Sequence, residues 1–138
     1  MICKTMMESE IARLTIETSF QGSITVKLIE IQTNNNLSYI INCDSNLYCS
    51  EDQSQRLTVG RGYIDHLLSE LETARIPATP KWEMGCDGTS YELVLTRGFN
   101  AVIYRWWCEA SKGYEPVVKF ANELLKLAQC NERVSIDG

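Results

Sequence analysis

Apolar and polar residues alternate with a period of two along much of this chain, the pattern of a strand with one buried face. Over residues 8–18, Ala12, Leu14 and Ile16 alternate with Arg13, Thr15 and Glu17. Residues 24–32 repeat it, with Ile24, Val26 and Leu28 set against Thr25 and Lys27. Gly22 lies between the two runs and marks a hairpin connection. Asn34-Asn35-Asn36 signals a turn, since asparagine tolerates left-handed backbone angles. Residues 37–43 then place Leu37, Tyr39 and Ile41 on one face. Three strands in succession predict an antiparallel meander.

The pattern lapses over residues 44–58, which are polar and carry few aliphatics. They read as a loop whose one candidate for regular structure is a short edge strand around Leu47 to Cys49. The period then changes. Thr58 to Gly62 leads into Ile64, Leu67, Leu68 and Leu71, spaced i, i+3, i+4 and i+7, the apolar stripe of a helix. Pro77 and Pro80 require that helix to end before them. Alternation returns after Asp87-Gly88: Tyr91, Leu93 and Leu95 against Glu92, Val94 and Thr96. After Arg97-Gly98-Phe99-Asn100, Val102, Tyr104 and Trp106 oppose Ile103, Arg105 and Trp107. So short a connection predicts a β-hairpin. Pro116 suits a first helical turn, and Val117, Phe120, Ala121, Leu124, Leu127 and Ala128 continue at helical spacing.

The predicted order is β-β-β-α-β-β-α. Strands and helices are segregated, so the expected fold class is α+β: an antiparallel sheet of about five strands with two helices packed on one face. The 138 residues form one domain, 1–138, with no repeat and no linker long enough to divide it.

Composition narrows the function classes. Apolar residues make up 44% and charged residues 22%, ordinary values for a globular chain. The net charge of −5 argues against nucleic acid and anionic membranes as partners, because both call for basic surface. No apolar run approaches the length of a membrane span. Lys4, Glu8 and Glu10 interrupt any signal-peptide core, so the expected location is the cytoplasm. Cys3, Cys43, Cys49, Cys86, Cys108 and Cys130 include no CxxC pair and read as free thiols of a reducing compartment.

Candidate chemistry is sparse. His66 lies off the apolar stripe of its helix, beside Asp65 and Glu70, and reads as a solvent-facing side chain. Asp44, Glu51 and Asp52 lack the ligand spacing and the glycine of a calcium loop. They read as a solvated acidic loop or, with Tyr48 as an amphipathic anchor, as a candidate acidic docking surface. Gly60-Arg61-Gly62 precedes a helix but completes no phosphate-binding motif. Trp106 and Trp107 must point to opposite sheet faces. One indole can therefore enter the core; the other is covered by the final helix or an N-terminal strand, or is exposed beside Cys108 and Glu109 as a candidate interface anchor. No metal-ligand set, catalytic carboxylate pair or nucleophile elbow is evident, so no cofactor is expected.

The segment Asp87-Gly88-Thr89-Ser90-Tyr91-Glu92-Leu93 leads to Tyr104-Arg105-Trp106-Trp107, then Gly113-Tyr114-Glu115-Pro116 and Phe120-Ala121-Asn122-Glu123-Leu124-Leu125. This stretch, about the last third of the chain, resembles a C-terminal module of small bacterial proteins. Some of these are similar to immunity proteins of polymorphic toxin systems, including contact-dependent growth inhibition. The resemblance implies a non-catalytic cytosolic protein that binds a cognate toxin domain and blocks it. Partner-binding candidates are Asp44, Tyr48, Glu51, Asp52, Trp107 and Glu109. Two other readings stand beside it. One is a small enzyme with a cysteine nucleophile and His66 as base. The other is a structural or adaptor subunit that self-associates through the hairpin edge or the exposed tryptophan.

Overall fold

A computed structural model of the chain describes residues 6–19, 22–46, 53–80 and 88–129. Their elements run β1 (Met7–Thr18), β2 (Gly22–Thr33), β3 (Asn36–Ser45), β4 (Gln53–Val59), α1 (Arg61–Glu72), β5 (Thr89–Arg97), β6 (Asn100–Trp107) and α2 (Glu115–Leu127). All six strands form one antiparallel sheet in the order β4-β3-β2-β1-β5-β6. The first four strands are thus a meander, and the β5–β6 hairpin adds to the free side of β1. The protein is α+β, with both helices on one face of an antiparallel sheet, as the periodicities predict.

The difference lies in residues 44–58. Asp44 and Ser45 complete β3, and residues 53–59 form a sixth, edge strand rather than loop. Edge strands need little apolar patterning. In β4 the apolar residues are Leu57 and Val59, paired on the core face with Ile41 and Tyr39. The short strand considered around Leu47 to Cys49 falls outside the described residues.

Directly paired residues of an antiparallel sheet share a face. Ala12, Leu14 and Ile16 of β1 therefore join Ile24, Val26 and Leu28 of β2, Ile41 and Cys43 of β3, and Tyr91 and Leu93 of β5. The helices close this layer with Ile64, Leu67 and Leu68 from α1 and Val117, Phe120, Ala121, Leu124 and Leu125 from α2. Burying each such side chain contributes about 1.5–3 kcal/mol. Pro116 stands in the first turn of α2, where its missing N–H costs nothing.

Trp106 faces this core, at 6% exposure. It stacks on Tyr91 at 5.2 Å and meets the ring of Tyr114 edge-on at 6.1 Å. At the hairpin tip, Gly98 takes φ +60°. With Phe99 it makes the two-residue connection between Arg97 and Asn100, and glycine in that first central position suits a type II′ turn.

Candidate interface on the open face of the sheet

Both helices lie on one side, and among the described residues no element packs on the opposite side of the sheet. Its rows follow from the strand register. One row runs Ile103, Val94, Arg13, Lys27, Asn42 and Arg56 from β6 to β4. The next runs Arg105, Glu92, Thr15, Thr25 and Asp44. A third holds Trp107, Ser90 and Glu17.

The charges on this face are largely matched. Arg13 donates to Glu10 from Nε and Nη2, at 2.7 and 2.8 Å. Arg105 Nε donates to Glu92 Oε2 at 2.6 Å across the hairpin. Arg56 of β4 reaches Glu8 of β1 at 2.7 Å, so these side chains meet over β2 and β3. Ile40, paired with Ile29, is buried on this face although it stands outside the main core.

Asp44 and Trp107 both lie on the open face, towards the same end of the sheet. The structure does not join them. Asp44 is on β3 and Trp107 on β6, four strand spacings away, or about 19 Å. Trp107 is half-buried, and Asp44 and Glu109 are exposed. Tyr48, Glu51 and Asp52 lie outside the described residues. Glu17, exposed near the same end, was missed by the sequence reading. Its strand was legible, but its nearness to Trp107 depends on β5 pairing with β1, which no local pattern encodes.

The helical side carries a second set of polar contacts. His66 Nε2 lies 2.9 Å from Glu70 Oε1, and Lys119 of α2 donates to Glu70 Oε2 at 3.0 Å. The Lys119 ammonium holds the Glu70 carboxyl below the usual carboxylate range. Tyr63 donates to Glu123, which lowers the carboxyl of Glu123 and pushes the phenol of Tyr63 up to about 12. Leu67, Leu71, Phe120 and Pro116 line a depression of ≈ 310 Å³ between the helices, rimmed by Glu70 and Lys119.

His66 is exposed and points to a carboxylate, not a thiol. Cys43 is buried among core residues, and Cys108 is exposed just past the end of β6. The other four cysteines lie outside the described residues. Among the described residues, no three His, Cys, Asp or Glu side chains converge as metal ligands, and no helix is long and apolar enough to cross a membrane. Comparison with protein-family models, with curated proteins and with solved structures found no match to this chain.

Proposed function

We propose that this chain is a non-catalytic binding protein of the bacterial cytosol, an immunity protein that neutralises a cognate toxin by covering it. The observation that carries the reading is the uncovered face of the sheet, which keeps a half-buried tryptophan and exposed acids at one end while both helices pack behind it. The resemblance of residues 87–125 to a module of small bacterial proteins, some of them similar to immunity proteins, suggests the class of partner. A face of paired strands is rigid, and a rigid surface loses little entropy on binding. Trp107 would anchor the contact. Asp44, Glu109 and the sequence-adjacent Glu51 and Asp52 would meet a basic surface, such as that of a toxin acting on nucleic acid.

The test is to express the C-terminal domain of the large secreted protein encoded beside this gene, with and without this chain. Rescue of growth, and a purified complex of the two proteins, are the expected results. Trp107→Ala should weaken the complex by at least about tenfold, the loss typical of an anchoring aromatic. No rescue and no complex, or the lack of such a neighbouring gene, would overturn the reading.

A further inference from the structure

The sheet ends in two edges, β4 and β6, and they differ in chemistry. β4 (Gln53–Val59) is mainly polar. β6 (Asn100–Trp107) is apolar and regular, without lysine, proline or a bulge along its pairing with β5. Those are the devices by which edge strands avoid pairing with another strand. Its one charged side chain, Arg105, is held back by Glu92. Val102 and Ile103 stand 47% and 52% exposed, and Phe99 projects fully from the hairpin tip.

The register shows which backbone groups are on offer. In a two-residue hairpin the pair Arg97–Asn100 is hydrogen-bonded, and bonded and non-bonded pairs alternate from there. Ala101, Ile103 and Arg105 fall in the non-bonded pairs with β5. Their N–H and C=O groups therefore point outward; the edge carries one isolated bridge, Trp107 with Glu109, at its end, and no strand pairs with Ala101 to Arg105 among the described residues. An edge of this kind is completed by another extended strand.

We infer that the completing strand is β6 of a second copy, antiparallel about a two-fold axis at Ile103. This register pairs Ile103 with Ile103 of the second copy. It sets Arg105 against Ala101 of the other chain, twice, and no like charges face each other. A register centred on Arg105 would oppose two arginines, and one centred on Ala101 would pair only Asn100 to Val102 before reaching the turn. The Ile103 register also brings Val102 beside the second copy's Tyr104. Val102 and Tyr104 line a pocket of ≈ 210 Å³ with Leu71, Ile11 and Leu95, so the second copy's apolar side chains would close its mouth. Such an interface is isologous and closes on itself, so it makes a dimer rather than a fibre. Asp44 and β4 lie at the far edge and stay uncovered.

Sedimentation equilibrium of the full chain tests this without any partner protein, so its outcome is independent of the toxin reading. The expected result is a reversible dimer. Ile103→Lys places two ammonium groups at the axis and should weaken the dimer at least tenfold. Ala101→Glu faces Arg105 of the other copy and should tighten it several-fold, whereas Ala101→Arg should weaken it. Unchanged circular dichroism keeps these effects separate from misfolding. A monomer at all concentrations up to millimolar, or a dimer indifferent to the Ala101 pair, would overturn the inference.

Discussion

Tyr39 ties the sheet to a helix through one hydrogen bond. Its hydroxyl donates to Asp65 of α1 at 2.9 Å, while the ring is buried at the core edge. Burial first, and then the bond to the Asp65 carboxylate, push its phenol up to about 12. Tyr63 is raised to the same level by its bond to Glu123, and burial raises Tyr114 in the same direction. The fold thus binds the protonated phenols more firmly than the unfolded chain, whose tyrosines titrate near pH 10. By linkage, this stabilisation is complete below pH 10 and is lost as pH rises from about 10 to about 12. Urea midpoints should therefore fall over that interval, and the double variant Tyr39→Phe/Tyr63→Phe should shrink the fall. At neutral pH, Tyr39→Phe alone should cost about 1 kcal/mol, the net value of one such bond. Glu123 has the opposite sign. Its lowered pKa makes its contribution present above the normal carboxylate range and lost as the solution is acidified through the lowered value.

A glycine marks a second residue-scale constraint. Gly22 takes φ +101°, and a Cβ there would clash with the backbone oxygen of Asn46. Gly22→Ala should destabilise by more than about 1 kcal/mol, through both an unfavourable backbone angle and a clash that backbone cannot relieve. Thermal unfolding would register it. Gly22 was legible as a turn signal, but the close approach of Asn46 was not, because it depends on β3 returning alongside β2.

At the scale of elements, α2 is the principal cover of the sheet. Its residues Val117, Phe120, Ala121, Leu124 and Leu125 are buried together, and Leu124 has no exposed surface. Leu124→Ala should lower stability by about 2–5 kcal/mol, the range for a core leucine whose cavity cannot collapse. A denaturant titration would show the midpoint falling with little change in slope. Such helices announce themselves, since a stripe at 3.6-residue spacing has few other uses. β4 did not announce itself. Gln53, Ser54, Gln55, Arg56 and Thr58 carry neither alternation nor β-branched density, and the strand exists because β3 offers it an edge. Asp44 moved from expected loop to strand for the same reason, and its position on the open face follows from its pairing with Thr25.

At the scale of the whole molecule, the sheet divides the protein into a packed side and an open side. Cross-face ion pairs such as Arg56 with Glu8 are solvent-exposed. Arg56→Ala should therefore change stability by less than about 1 kcal/mol, a near-null result that equilibrium unfolding would confirm. Partner binding should respond more strongly to charge. With a net charge of −5, association with the proposed partner, a basic toxin domain, should slow as salt is raised. Asp44→Lys should lower the association rate in stopped flow more than it raises the dissociation rate.

Local spacing was enough to set the alternating strands, both helices, the tight β5–β6 turn and the opposition of Trp106 to Trp107. Each follows from spacing between near neighbours, and periodicity reports spacing directly. Which tryptophan enters the core was set by packing between distant elements. Two adjacent indoles are chemically identical, and alternation separates them without saying which side is inside. That choice came from where α2 lies, with Tyr114 set against Trp106, which stacks on Tyr91. Tertiary pairing also decided that β1 stands between β2 and β5, which leaves β6 as an apolar edge and puts Glu17 near Trp107. Strand order depends on contacts between residues tens of positions apart, and a pattern read within a few residues carries no record of them.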